Sequence, residues 1–182
     1  MASILITGAN RGIGLGLVKQ FLGLEGVALV FATTRSAEGA ADLHSIHDPR
    51  LKVITLNIDD DDSIQQAAAE VAEVVGENGL DILINNAGIL HQVDLREMNR
   101  QELVAHFNTN AIGPALVTAA FYNLLKQAAA TKGHAQVANI SSTLGSISIN
   151  RTGPGIGGYS MTKAAINRYT AYAAKEWAAD KV

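Results

Sequence analysis

The stretch Ser3–Leu22, "SILITGANRGIGLGLVKQFL", decides the fold. Its first five residues are apolar at nearly every position rather than at every second one. That is the mark of a strand buried on both faces. Gly14–Leu22, "GLGLVKQFL", has a helical pattern, and Thr7–Gly14, "TGANRGIG", is the glycine turn between the two. A glycine turn joining a strand to a helix lets backbone amides approach a pyrophosphate closely, and the helix N-terminus adds partial positive charge. The spacing is Gly8-x-x-x-Gly12-x-Gly14, which is not G-x-G-x-x-G, and no Gly-Lys-Ser/Thr follows to make a P-loop. A tight turn holding no ligand is the plain alternative. The place directly after the first strand favours a nucleotide, with Gly8, Asn10, Arg11, Gly12, Ile13 and Gly14 as candidate contacts.

The same alternation runs along the whole chain. Apolar runs at Ser3–Thr7, Val27–Thr33, Leu51–Asn57, Leu80–Asn85 and Gln136–Ser141 read as strands. Helical patterns fill roughly 12–24, 37–46, 61–76, 100–130 and 159–179. Repetition of this kind predicts an α/β fold: one Rossmann-type, three-layer domain with a doubly wound parallel sheet and right-handed crossovers. The last strand, 136–141, is expected at or near the sheet edge with both faces apolar. Either something else covers such an edge or the chain is part of a longer one. The acidic run Asp59–Asp62 falls where a strand passes into a helix, and carboxylates there cap amides and suit the helix dipole.

The bulk numbers set limits. A chain of 182 residues, 48% hydrophobic and 17% charged, can build a sizeable core. A net charge of −3 with no long basic run argues against nucleic acid or an anionic membrane as partner. Cysteine is absent, so disulfides and thiolate chemistry are excluded. No apolar run approaches the ~18 residues of a membrane span, and no secretory signal is legible. A cytoplasmic location is the expectation. The five histidines show no zinc spacing, and no metal is expected; His91 borders the presumed active-site loop.

Cofactor type can be read after the second strand. An NAD site usually places an acid there to grip the ribose hydroxyls. Here the sequence is Thr33-Thr34-Arg35, with Arg11 in the glycine turn and no carboxylate before Glu38. Two arginines without an acid suit a 2′-phosphate, hence NADP(H); two solvated surface arginines are the bland alternative.

A second glycine cluster, Gly153–Gly158, "GPGIGG", does satisfy G-x-G-x-x-G, but a loop rather than a strand precedes it. Tyr159 and Lys163 follow it four residues apart, on one face of a helix. Strand "VANIS" ends in Ser141 and Ser142. In order, "TGANRGIG" at 7–14, "NNAG" at 85–88, "NAIG" at 110–113 and "SS…YSMTK" at 141–163 resemble the short-chain dehydrogenase/reductase family, over essentially the whole chain. The resemblance implies a role for each match. Tyr159 would be the general acid/base and Lys163 would hold the nicotinamide ribose. Ser142, rather than Ser141, would be the catalytic serine, and Asn110 would hold a water in a proton relay. Asn86, Ala87 and Gly88 would lie along the cofactor, with Asn57 and Ile58 near the adenine. A nearby ammonium and the oxidised nicotinamide would favour the Tyr159 phenolate.

The long interval between Ser142 and Tyr159, with "ATTR" after strand two, looks like the carbonyl-reductase branch that includes the sniffer and C-factor proteins. An NADPH-dependent reduction of a small aldehyde or ketone follows as the expected activity, with a catalytically silent nucleotide-binding module as the rival. Family members continue past helix 159–179 with a strand, a substrate loop and a final strand, so the chain is expected to be truncated at its C-terminal end. The alanine-rich helix 159–179 and the 100–130 helix build a dimer face in the family, so self-association is expected. The glycines of "GPGIGG" are expected to form a mobile border of the substrate pocket.

Overall fold

A computed structural model describes residues 1–149, 151 and 153–182. Two positions of the long serine-to-tyrosine interval, Asn150 and Thr152, lie outside the described residues. Five parallel strands form one sheet: β1 (Ala2–Ile6), β2 (Val27–Thr34), β3 (Leu51–Thr55), β4 (Ile82–Asn85) and β5 (Gln136–Asn139). Their order is β3-β2-β1-β4-β5. The chain therefore winds outward from β1 in one direction and then, after β3, in the other. The switch point lies between β1 and β4, where Ile6 pairs with Ile84. Ligands of doubly wound sheets bind outside the carboxyl ends of strands at such a point.

Successive β1 residues point to opposite faces, and each face has its own core. Ile4 and Ile6 pack with Val30, Ala32 and Ile84 against Val18 and Leu22 of helix α1 (Gly12–Leu22) and Leu43 of the short helix α2 (Ala41–His44). Leu5 packs with Phe31 and Leu83 against α3 (Asp61–Val75) and α5 (Gly113–Lys132), through Ile64, Val71, Val117, Phe121 and Leu125. Helices α4 (Arg100–Phe107) and α6 (Gly157–Glu176) complete the framework. The three-layer α/β fold expected from the sequence is the fold observed.

Three elements differ from expectation. The helix expected over 37–46 is a 3₁₀ turn, Ala37–Ala40, followed by a single α turn. The helix expected over 100–130 is opened by a π turn at Asn108–Ile112. Pro114 explains it: proline has no N–H to give the carbonyl four residues back, at Asn110, and its ring would crowd that carbonyl. Strand β5 is outermost as expected, but it is not apolar on both faces. Gln136 and Ala138 are exposed, while Val137 and Asn139 are half-buried. Among the acidic run, Asp60 caps α3 by accepting the Ser63 N–H at 3.0 Å.

The amino ends of the strands are held by a buried carboxylate. Asp81, 8% exposed, accepts hydrogen bonds through Oδ2 from the Ser3 N–H (2.7 Å), the Ser3 hydroxyl (2.9 Å) and the Lys132 ammonium (2.8 Å). Burial alone would raise the carboxyl pKa, but hydrogen bonds from Lys132 and Ser3 outweigh it and hold Asp81 below the ordinary value of 3.8. A depressed carboxyl contributes stability above its unfolded pKa and loses it as pH falls through its folded value. Asp81→Asn is expected to destabilise the protein by about 1–3 kcal/mol at neutral pH. In urea melts the gap from wild type should shrink as the pH is taken below 3.8; a gap independent of pH would contradict this role.

Candidate active site

At the carboxyl end of β1 the chain turns through Gly8 (φ +61°) and Gly12 (φ +55°), in the left-handed region that glycine tolerates. The turn is locked to its neighbours. The Asn86 and Ala87 N–H groups each donate to the Thr7 hydroxyl at 3.0 Å. The Asn86 side-chain amide donates to the carbonyls of Thr7 (2.9 Å) and Gly8 (3.1 Å), and the Ala9 N–H donates to the Thr33 carbonyl at 2.7 Å. Gly14 closes the turn: a Cβ there would lie 2.5 Å from the Gly8 carbonyl oxygen and 2.7 Å from the Asn86 amide.

Helix α1 starts at this turn with a free amide end. Arg11 sits in extended backbone at its N-cap with no side-chain cap, and no acid occupies the first helical turn. These amides open onto a cavity of ≈ 440 Å³. Its walls include Gly8, Asn10, Arg11, Gly12 and Ile13 from the turn, Thr34, Arg35, Ser36 and Gly39 after β2, Ile58 and Asp59 after β3, and Asn86, Ala87 and Gly88 after β4. Gly12 would leave open space around an added Cβ. A dinucleotide fits this donor set: uncapped helix amides for the diphosphate and two guanidinium groups on one wall. Asn57 is not on the wall. Its side-chain carbonyl accepts the Asp59 N–H at 3.3 Å, and its own N–H donates to the Ser63 hydroxyl. Asp59 lines the cavity instead, with one carboxylate oxygen accepting the Thr109 hydroxyl at 2.9 Å.

Gly88, on this wall, lies beside two of the four polar residues that the sequence singled out, Asn110 and Lys163. A Cβ on Gly88 would stand 3.1 Å from the Asn110 Oδ1 and 3.9 Å from the Lys163 Nζ. Asn110, in the π turn, accepts the Ile89 N–H (2.8 Å) and donates to the Ile89 carbonyl (2.8 Å) and the Thr162 hydroxyl (3.2 Å). Thr162 in turn donates to the Tyr159 carbonyl at 2.7 Å, so the π turn is tied to the first turn of α6. Lys163 is 5% exposed; its ammonium donates to the Ile140 carbonyl at 2.7 Å and lies 5.4 Å from the Tyr159 ring centroid. The Ser142 hydroxyl lies on the Tyr159 side of the group and accepts the Leu144 N–H at 3.2 Å. Ser141 is turned elsewhere, donating to Asn167 at 2.6 Å. Gly145 makes the close fit: a Cβ there would lie 2.6 Å from the Lys163 carbonyl carbon.

Burial sets the titration of this group. It pushes the Tyr159 phenol above its ordinary value, against the hydrogen bond from Ser142, and pulls the Lys163 ammonium below its own. Lys163 sits over the ring rather than at the hydroxyl. The lowering of Tyr159 by its neighbouring ammonium, expected from the sequence, is not produced by the chain's own groups.

"GPGIGG" is docked. The Val93 N–H donates to the Gly155 carbonyl at 2.9 Å, and Gly155 has φ +71°. A Cβ on Gly157 would meet Leu95 at 2.5 Å. With residues 144–147 and the outer side of α6, this loop borders an apolar hollow of ≈ 380 Å³ whose walls do not include Tyr159. Nor does His91 reach the nucleotide cavity wall; it is exposed and pairs with Glu102. Sequence reading missed Asp59, Thr162 and His106. The first two had only proximity to motifs as a signal, and His106 had only its place four residues before Asn110.

The short chain dehydrogenase family model matches residues 2–182. The chain belongs to this family. An uncharacterized oxidoreductase of Schizosaccharomyces pombe is 39% identical over 165 residues, covering 89% of this chain and 62% of that protein. The chain thus spans less than two thirds of that relative's length. The Sniffer protein of Caenorhabditis elegans superposes with a TM-score of 0.96 at 38% identity, over 100% of this chain and 81% of that one. The NADPH-bound carbonyl reductase from chicken fatty liver gives 0.93 at 36% identity, over 100% and 76%. The Sniffer protein of Drosophila melanogaster superposes likewise, with a TM-score of 0.95 at 33% identity, over 100% of this chain and 77% of that one.

Two of the three glycines of α1, Gly14 and Gly16, separate packing from propensity. Gly14→Ala is expected to destabilise the fold by about 1–3 kcal/mol through overpacking and to weaken dinucleotide binding. Gly16→Ala meets nothing within 4 Å and should stabilise by about 0.5–1 kcal/mol. Thermal melts with a cofactor titration check both; a neutral Gly14→Ala would contradict the close approach.

Proposed function

We propose that this protein is an NADPH-dependent oxidoreductase that reduces an aldehyde or ketone to an alcohol. The observation that carries this reading is the buried Lys163 ammonium over the Tyr159 ring, close to Gly88 in the wall of a cavity lined by Arg11 and Arg35.

The chemistry follows from the residues. Carbonyl reduction needs hydride at carbon and a proton at oxygen. The nicotinamide supplies the hydride when bound. Tyr159, held protonated by burial, donates its phenolic proton to the carbonyl oxygen, and Ser142 hydrogen-bonds that oxygen as negative charge builds there. Lys163 is fixed by the Ile140 carbonyl where it can hold the nicotinamide ribose and stabilise the phenolate left behind. Asn110 holds the backbone of Ile89, fixing the wall beside Gly88, and is placed to order a water for reprotonation. Arg11 and Arg35 take the 2′-phosphate. The similarity to carbonyl reductases, one of them bound to NADPH, supports the same assignment.

A small-molecule carbonyl is the expected partner. Self-association is the expected assembly: Val104, Ile112 and Leu116, between 42% and 49% exposed, recur every four to eight residues along α4, the π turn and α5. Among the described residues no helix is long and apolar enough to cross a membrane.

Tyr159→Phe should lower NADPH-linked carbonyl turnover by at least about a hundredfold, with NADPH affinity, read by fluorescence, nearly unchanged; wild-type turnover would remove the proton-donor role. Arg35→Asp should weaken NADPH binding by roughly ten- to a hundredfold and leave NADH nearly unchanged. Equal losses for both cofactors would remove the 2′-phosphate assignment.

A further inference from the structure

His106 is buried at 2% exposure, and the mechanism above does not use it. With His91 and Glu102 it forms a group whose ligand atoms lie within 4.8 Å of one another, the outline of a metal site. The hydrogen bonds argue for a different use. Nε2 of His106 accepts the His91 N–H at 3.0 Å. That fixes the neutral tautomer with its proton on Nδ1, which donates to the Glu102 carbonyl at 2.8 Å. Both ring nitrogens are committed to backbone, and Nε2 could meet a metal only by orphaning a peptide N–H.

The backbone that His106 holds is the segment leaving Gly88. Three alternate N–H groups of this segment point to anchors: Ile89 to Asn110, His91 to His106, and Val93 to Gly155. Asn110 and His106 are four residues apart, on either side of the junction between α4 and the π turn. The His106 ring also lies beside Gly158, the residue before Tyr159: a Cβ there would be 3.7 Å from Nδ1, with Leu103 at 3.5 Å. His106 thus binds the strap after β4 and lies next to the start of the helix that delivers Tyr159.

We infer that His106 is a positioning residue for the carbonyl reduction: its Nε2 lone pair holds the 89–93 segment in place beside Gly158 and the start of α6, which sets Tyr159 relative to the wall at Gly88. The inference rests on the reading of Tyr159 as proton donor. No atom of His106 touches the reacting centre, so its effect is on the geometry of Tyr159 and the substrate, not on nucleotide affinity.

Two variants and two readouts test it. His106→Phe keeps a planar ring against Gly158 but removes the acceptor, whereas His106→Gln offers Oε1 near the place of Nε2. With an aldehyde panel and saturating NADPH, His106→Phe should lower kcat by about ten- to a hundredfold, the cost of a small misplacement at the reacting atoms. NADPH affinity should stay within about twofold, since no cofactor contact is lost. His106→Gln should recover most of the rate. Amide exchange at residues 89–93 should quicken about tenfold or more in His106→Phe and return toward wild type in His106→Gln. Full activity in His106→Phe, or equal impairment of both variants, would overturn the inference. If the wild-type chain reduces no carbonyl, the proposed function fails by itself. The exchange data then still decide the hold on 89–93: unchanged exchange in His106→Phe overturns it, and quickened exchange restored by glutamine supports it.

Discussion

Gly14 has no room for a methyl group. The first turn of α1 is pressed onto the chain it has just left, with the Gly8 carbonyl and the Asn86 amide both within 3 Å of where a Cβ would be. The switch between β1 and β4 depends on that closeness. Because the helix starts so near the strand ends, Thr7 can take two N–H groups from the neighbouring strand's exit, and Asn86 can return two hydrogen bonds to the turn. The cavity floor, the helix amides and Gly88 are positioned by this one packed junction. A side chain at Gly14 would push apart the two halves of the sheet at the point where they jointly form a site.

The second half of the site depends on the first through Gly88 and the segment after it. Asn110 closes on Ile89, Thr162 links Asn110 to α6, and Lys163 is aimed by the carbonyl at the end of β5. Asn110 and Lys163 are thus each held by backbone from a different element. Burial follows from this enclosure. It keeps Tyr159 a weak acid and strains Lys163 toward neutrality, so the positive charge of an oxidised nicotinamide would act on a phenol with little competing solvent.

The layers, the doubly wound parallel sheet and the junction at Thr7–Gly14 were legible because apolar runs and glycine turns are local properties of sequence. Tyr159 and Lys163 were legible as a spacing, Ser142 and Asn110 through the family resemblance, and the fold sets Lys163 by the Tyr159 ring and, with Asn110, by Gly88. The π turn was legible only in hindsight: Pro114 announces a broken hydrogen bond, but whether a helix kinks, ends or widens there is settled by what packs around it. Asn57 and Asp59 show another limit. Both follow β3, and which one faces the cavity depends on the turn into α3, where Ser63 and Thr109 compete for their polar groups. His106 was hidden for a related reason, since a single buried histidine has no local signature until the His91 backbone is folded onto it.

The pairing of Ile89 with Asn110 and of His91 with His106 matches two different rulers. Two residues of extended chain advance about 6.6 Å; four residues of helix advance about 6 Å. The two lengths agree closely enough for two successive anchors, with the strand running against the helix. They diverge by roughly half an ångström per step, and at the third step the strap has left the helix for the Gly155 carbonyl. Such an interface tolerates exchanges of side chain but not of length. One residue inserted between Ile89 and His91 would turn the next N–H to the opposite face, and one inserted between His106 and Asn110 would rotate an anchor by about 100°. A change of length is therefore better accommodated beyond Val93 or before Gly155 than between these anchors, which makes those two stretches the adjustable parts of an otherwise gauged site.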